Sequence, residues 1–194
     1  MEIAINDLLE NSFVITIDDY RYNEFVNNFK HAGFDLLPKR FDGFAIPNGV
    51  YKNVGLIKTK NYCNCSLSHI AIVKYAKMMN MPYVCIFEDD AYPCKGIQEQ
   101  FRRLISMIPY DADIVKLGFT RYVDKAKVFD SNGKLSLLKN ENSWGSHAYI
   151  VFSKYYDKYI ENYHKDMLAD GNVLNDINSN IFVPNDILFM QYQI

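Results

Sequence analysis

Short apolar runs alternate along the chain with stretches of helical periodicity. Three of the runs are typical of strands covered on both faces: 13–17, 83–87 and 114–118. Apolar residues three and four positions apart predict three amphipathic helices: 21–31, 66–79 and 97–105. The order strand, helix, strand, helix, strand predicts an α/β fold with a mostly parallel central sheet flanked by helices.

The second helix has the most clearly predicted boundaries. Ser66 is a suitable N-cap, apolar residues share one face as far as Met79, and Pro82 lies beyond the end. His69 joins that apolar face near the predicted helix start. The segment 40–62 contains glycine and proline without a sustained period, which predicts a surface loop.

The second half of the chain predicts shorter elements. A polar turn at Ser131–Lys134 separates two short apolar segments, which indicates a hairpin. The remaining predicted elements are an extended piece at 34–37, a strand at 147–152, a helix at 154–164, a turn at 170–172 and a strand at 181–183.

Composition is that of one globular domain spanning residues 1–194. Hydrophobic residues make up 49% and charged residues 23%, and the net charge of -2 gives no field that would recruit nucleic acid. No stretch has the length and apolarity of a membrane span. We therefore expect a cytoplasmic protein, either soluble or in peripheral contact with the inner face of a membrane.

The cysteines give no metal signature at the level of sequence. Cys63, Cys65, Cys85 and Cys94 lack the paired Cys-x-x-Cys spacing of structural zinc sites, and Cys85 lies inside an apolar run. Free thiols in a reducing compartment are the expected state, and a disulfide or metal role is the alternative.

The acidic triplet Glu88-Asp89-Asp90 directly follows the apolar run 83–87. Adjacent carboxylates repel one another at low dielectric, so they need either solvation or a cation. Strand alternation predicts that Glu88 and Asp90 share one side. Mn²⁺ or Mg²⁺ binds carboxylate and phosphate oxygens, as in a nucleotide diphosphate complex. A solvated turn with a helix cap is the alternative.

The segment Asn64-Cys65-Ser66-Leu67-Ser68-His69, followed by a helix and by the run ending in Glu88-Asp89-Asp90, resembles the signature of glycosyltransferase family 25. That family includes lipooligosaccharide and collagen galactosyltransferases, and it pairs Cys-x-x-Ser-His with an apolar strand ending in Glu-Asp-Asp. Further segments resemble the family in the same order: 14–17 with Arg21, 113–118, 145–150 and 184–186. The resemblance covers nearly the whole chain.

The resemblance implies a GT-A-like nucleotide-sugar-binding fold and an inverting transfer, most often of galactose from a UDP-sugar to a cell-surface glycan or lipid-linked oligosaccharide. Asp90 would bind the divalent metal, with Glu88 assisting through the ribose or a metal-bound water. Asp89 would orient the loop. Ser68 and His69 would line the nucleotide pocket at a helix start, where backbone N–H groups favour phosphate.

Further donor-site candidates from the resemblance are Thr16, Arg21 and His147. Inversion also needs a general base for the acceptor hydroxyl. Asp186 is our candidate, because it follows a short apolar strand and a proline that would direct the loop over the sheet edge. Each assignment has a structural alternative: His69 as a core histidine, His147 as a loop cap and Asp186 as a helix N-cap.

Only eight residues follow Asp186, whereas family members usually continue further. The acceptor side of the cleft is therefore expected to be reduced or completed by another subunit. One alternative function is an inactive relative that only binds nucleotide-sugars. Another is a metal-dependent phosphate hydrolase, which would need a second metal or a nucleophile that the sequence does not indicate.

Overall fold

The computed structural model describes residues 4–45, 60–122, 127–131, 136–139, 143–166, 173–174, 176 and 178–192. Within these ranges the α-helices are α1 (Ile5–Glu10), α2 (Asp19–His31), α3 (Lys60–Met78), α4 (Ile97–Met107) and α5 (Tyr156–Asp166). A 3₁₀ turn at Ser153–Tyr155 leads into α5. No helix in these ranges is long and apolar enough to cross a membrane.

Strands alternate with these helices in the first half of the chain and dominate the second half. They are β1 (Ser12–Thr16), β2 (Lys39–Asp42), β3 (Tyr83–Glu88), β4 (Ala91–Pro93), β5 (Ile114–Lys116), β6 (Arg121–Tyr122), β7 (Lys127–Ser131), β8 (Ser136–Lys139), β9 (Ser143–Trp144), β10 (Ala148–Phe152), β11 (Ile181–Pro184) and β12 (Phe189–Gln191).

The central sheet has the strand order β2-β1-β3-β10-β5-β11-β8-β7. Across its described strands, only β10 and β8 run against the common direction. The predicted α/β class with a mostly parallel sheet is therefore confirmed. Two small antiparallel pairs, β4 with β12 and β6 with β9, lie outside this sheet.

The sheet is buried on both faces, which explains why its strands are almost continuously apolar. One face packs against α1, α2 and α4 through side chains such as Phe25, Phe29 and Leu104. The other face packs against α3 and α5 through side chains such as Val73 and Tyr159. Burying each such side chain contributes roughly 1.5–3 kcal/mol, so this two-sided core fixes the position of the strand ends.

The carboxyl ends of β1, β3 and β5 meet the amino end of β10 at one edge of the sheet, because β10 runs antiparallel to its neighbours. The Glu88 N–H donates to the His147 carbonyl (2.8 Å), and the Asp89 N–H donates to the Ile15 carbonyl (3.1 Å). Gly118 follows β5 at this edge, where an added Cβ would lie 2.2 Å from His147 Nε2. This edge therefore brings the acidic triplet together with two other predicted site segments, 14–17 and 145–150.

Helix α3 begins at Lys60, so the prediction of Ser66 as its N-cap is wrong. Ser66 is buried within the helix. No proline or glycine lies between residues 60 and 66, so nothing in the sequence stops the helix from extending toward its amino end. At the other end Asn80 adopts a left-handed φ of 52°, and the Met81 N–H bonds the Ala76 carbonyl. This left-handed turn ends the helix before Pro82.

The second strand occupies Lys39–Asp42, not the predicted residues 34–37. Strand β2 is an edge strand whose residues are largely exposed, so it lacks an apolar pattern. Helix α5 begins two residues after the predicted start, because the 3₁₀ turn precedes it. The predicted hairpin is observed as β7 and β8. Its turn at 132–134, the turn at 170–172 and part of the predicted loop (46–59) lie outside the described residues.

Candidate functional site

The acidic triplet is divided where strand β3 ends. Glu88 is the last strand residue, and Asp89 and Asp90 form the turn into β4. The prediction that Glu88 and Asp90 share one side is wrong, because the alternation of side chains ends with the strand at Glu88. Asp89 and Asp90 both approach Arg21 on α2, whereas Glu88 contacts α3.

Asp89 is tied to the ends of two other elements. Its Oδ1 forms an ion pair with Arg21 Nη2, and its Oδ2 lies 2.8 Å from the Thr16 hydroxyl at the end of β1. Asp18 N-caps α2 by accepting a hydrogen bond from the Arg21 N–H at 3.0 Å, which fixes that arginine on the first helical turn. Burial raises the pKa of Asp89, while the Thr16 bond and the Arg21 charge oppose the rise.

Asp90 is the least compensated carboxylate of the triplet. Its Oδ2 accepts a hydrogen bond from Gln191 Nε2 (3.1 Å) and lies 3.7 Å from Arg21 Nη2. Its Oδ1 is buried and has no hydrogen-bond partner among the described residues. Burial, followed by the negative charge of Glu88, raises the pKa of Asp90 to about 6. A buried carboxylate oxygen without a partner fits a hard divalent cation, which takes oxygen ligands.

Glu88 is held on the opposite side by a cluster on α3 and the segment before β10. Its Oε1 accepts hydrogen bonds from Ser146 Oγ (2.5 Å) and His69 Nε2 (3.1 Å), and Cys65 Sγ lies at 3.8 Å. Burial by itself would raise the pKa of Glu88. The His69 and Ser146 interactions outweigh burial and lower this pKa to about 2.

His69 and Ser68 lie beneath the acidic turn in the interior of α3. His69 is fully buried, and its Nδ1 lies 2.7 Å from the Tyr149 hydroxyl, which is 2.8 Å from the Tyr159 hydroxyl. Ser68 Oγ donates to the Asn64 carbonyl and accepts from a loop N–H. The predicted helix start at these residues is wrong, because α3 begins at Lys60. The backbone N–H groups here lie in the helix interior, where helical bonds use them.

His147 is also buried, just before strand β10 at the same sheet edge. Its Nε2 donates to the Phe189 carbonyl (2.8 Å), and its Nδ1 has no hydrogen-bond partner within the described part of the chain. Burial lowers the pKa of His147, although the Phe189 carbonyl and the Glu88 charge oppose this. The imidazole thereby joins the β10 end of the site to strand β12.

Asp186 lies apart from the acidic turn. It is exposed in the turn after β11, and none of the described residues hydrogen-bonds its carboxylate. Strand β11 ends at the same sheet edge as β3 but is three strand positions away, a lateral separation of about 14 Å.

A cavity of about 570 Å³ opens beside Asp89 and Asp90, between the start of α2 and strand β12. Three tyrosines that the sequence did not single out line it with exposed side chains: Tyr20, Tyr92 and Tyr192. The size is within the range of small-molecule sites. Gln191 and Tyr192 could not be predicted as site residues from sequence, because it is the pairing of β12 with β4 that brings them to Asp90.

Comparison with known families identifies the class of this protein. Residues 51–176, well over half of the chain, match the family model described as glycosyltransferase family 25 (LPS biosynthesis protein). The match identifies a glycosyltransferase, an enzyme that transfers a sugar from a donor to a glycan acceptor. The chain belongs to glycosyltransferase family 25, which confirms the resemblance carried by the segments around His69 and Glu88.

The chain is similar to solved structures at low sequence identity. The crystal structure of A197 from STIV aligns with a TM-score of 0.52 and 9% identity, covering 94% of this chain and 84% of that one. A glycosyltransferase involved in the glycosylation of the major capsid of PBCV-1 aligns with a TM-score of 0.49 and 6% identity, covering 89% and 79%. The likeness to A197 concerns the fold alone. No curated protein matches the chain.

Proposed function

We propose that this glycosyltransferase moves galactose from UDP-galactose to a cell-surface glycan acceptor, with inversion and with Mn²⁺ or Mg²⁺ held by Asp90. One observation carries the proposal. Asp90 Oδ1 is a buried carboxylate oxygen without a partner among the described residues, and it belongs to a residue that lines a cavity of ligand size.

Asp90 is the proposed direct ligand of the cation. When bound, the cation would neutralise charge that develops on the departing diphosphate. Glu88 was expected to assist, but it contacts His69 on α3 and Ser146, whereas Asp90 approaches Arg21 on the other side of β3. We therefore assign Glu88 to positioning the end of β3.

Arg21 is the proposed contact to the donor phosphates. Its side chain is 36% exposed, it lines the cavity, and its Nη2 lies between Asp89 and Asp90. The other expected donor contacts are held in the interior. Thr16, Ser68, His69 and His147 are all almost fully buried. We therefore propose that these four residues support the site from the interior. Asp89 positions Arg21 through their ion pair.

Asp186 remains the proposed general base. Its exposure and its position at the carboxyl edge suit a group that takes a proton from an acceptor hydroxyl. The lateral offset from β3 requires the donor sugar to extend along the edge toward β11. The tyrosines of the cavity offer flat, half-polar faces of the kind that pack on sugar rings.

Calorimetric titration of UDP and UDP-galactose, with and without Mn²⁺, tests the donor site. Binding should depend on the metal in the wild type and be lost in Asp90→Asn, whereas the exposed cavity carboxylate variant Glu24→Gln should bind normally. Absence of any uridine nucleotide binding by the folded protein would overturn the proposal. Donor binding without transfer would leave a nucleotide-sugar-binding module. Turnover of phosphate esters without a sugar acceptor would instead indicate a hydrolase.

A further inference from the structure

The geometry points to a second cation site, of the zinc class, formed by Cys65, His69 and Glu88. It lies on the α3 side of β3, whereas the proposed donor cation binds on the Arg21 side. Among the described residues, these three place a thiol, an imidazole nitrogen and a carboxylate oxygen within 4.8 Å of one another. The inference does not rest on the proposed transfer reaction.

Two of the three distances between the ligand atoms are close to the edges of a zinc tetrahedron. With Zn–N and Zn–O of about 2.0 Å and Zn–S of about 2.3 Å, tetrahedral geometry separates N from O by about 3.3 Å and S from O by about 3.5 Å. The observed separations from Glu88 Oε1 are 3.1 Å to His69 Nε2 and 3.8 Å to Cys65 Sγ. These two separations differ from the tetrahedral values by a few tenths of an ångström, and the third pair, Cys65 Sγ and the His69 nitrogen, lies within 4.8 Å.

The ligands stand on rigid elements. Cys65 and His69 are four residues apart on α3, so they face the same direction, and Glu88 ends the buried strand β3. Ser146 Oγ, 2.5 Å from Glu88 Oε1, orients the carboxylate. The fourth ligand would be a water molecule, as in sites with three protein ligands.

A second layer of hydrogen bonds supports the imidazole. In the ion-bound form the Nδ1–H of His69 would donate to the Tyr149 hydroxyl at 2.7 Å, which leaves Nε2 as the ligand. The Tyr149 hydroxyl is in turn 2.8 Å from the Tyr159 hydroxyl. Histidine ligands of metals characteristically have such a partner on the second ring nitrogen, which fixes the tautomer and the ring plane.

Charge and ligand softness select the ion. A thiolate and a carboxylate supply two negative charges, so a dication with a neutral imidazole makes the partly buried cluster neutral. Thiolate and imidazole favour zinc over magnesium or manganese, which prefer oxygen ligands such as Asp90. The bound ion would join α3 to the end of β3 and so stiffen the acidic turn.

Metal binding to the full chain tests the site. The protein is stripped with a chelator, titrated with Zn²⁺ by calorimetry and loaded with Co²⁺ for absorption spectroscopy. We expect one tightly bound equivalent and a sulfur-to-cobalt charge-transfer band. Cys65→Ser should abolish the band, and Cys94→Ser, at another partly exposed thiol, should retain it. Tyr149→Phe should weaken Zn²⁺ binding by about 10–100-fold.

The wild-type titration decides the question even if a variant fails to fold. Absence of stoichiometric Zn²⁺ binding, or a Co²⁺ complex without the thiolate band, would show that the cluster is only a hydrogen-bonded network. Asp90→Asn should keep full Zn²⁺ affinity while losing Mn²⁺-dependent nucleotide binding. This pair of measurements separates failure of the zinc site from failure of the proposed donor site.

Discussion

Asp90→Asn should stabilise the protein at neutral pH while removing the proposed cation ligand. Burial and the Glu88 charge raise the pKa of Asp90 from 3.8 to about 6, so its charged form is disfavoured in the folded state. A rise of about 2 pKa units corresponds to a cost of up to about 3 kcal/mol at neutral pH. The side chain is only 15% exposed, so solvent screening reduces this cost little. Asparagine removes the charge and keeps an oxygen for Gln191.

The pH dependence has a definite sign. A group whose pKa is raised on folding contributes stability that is fully present below its unfolded pKa of 3.8 and lost as pH rises through about 6. The advantage of Asp90→Asn should therefore be largest above pH 7, and about half as large at pH 5. At neutral pH it should raise the melting temperature by about 5–10 °C for a chain of this length.

Urea unfolding and thermal melts at both pH values check this prediction, with Glu24→Gln as the matched control. Glu24 is an exposed carboxylate on the same cavity, so its neutralisation should change stability little. Mn²⁺ should stabilise the wild type but not Asp90→Asn, since a ligand that binds only the native state raises its stability. An Asp90→Asn variant no more stable than wild type at neutral pH would refute the argument that Asp90 carries an uncompensated charge.

Three further predictions concern other parts of the chain. Gly118→Ala should destabilise the protein by about 2–3 kcal/mol in urea unfolding, because its Cβ would lie 2.2 Å from a backbone oxygen and an imidazole nitrogen. Burial alone would raise the pKa of Asp176, but bonds from Lys158 and neighbouring groups lower it to about 2. Asp176→Asn should therefore cost about 1–2 kcal/mol at neutral pH, and the cost should vanish as pH falls from 3.8 through about 2. Tyr192→Ala should raise the KM of the proposed transfer more than it lowers kcat, while Tyr110→Ala, at a site outside the cavity, should change neither.

The central strands and helix α4 were predictable because burial imposes a pattern on their sequences. The run 83–87 is apolar at every position because helices cover both faces of β3. In α4, apolar residues recur at helical spacing because one face packs on the core. The acidic triplet could be placed at the carboxyl edge for the same reason, since an apolar strand ended directly before it.

The beginning of α3 and the position of β2 could not be predicted from local pattern. Residues 60–65 are half polar and show no helical period, and helical propensity alone does not distinguish them from a loop. Strand β2 exists through its parallel pairing with β1, a long-range contact that leaves exposed polar residues in the strand. The contribution of Gln191 to the site depends in the same way on the register between β12 and β4.

The structure also explains how three consecutive carboxylates can lie at one buried strand end. At the end of β3 these side chains contact different partners. Glu88 bonds His69 and Ser146, and Asp89 bonds Arg21 and the Thr16 hydroxyl. These partners outweigh the burial of Glu88 and partly offset that of Asp89, whereas Asp90 keeps a buried oxygen without a partner among the described residues. Asp90 therefore carries the largest uncompensated charge of the triplet. The stability of Asp90→Asn measures the cost of this charge, which the proposed donor cation would offset.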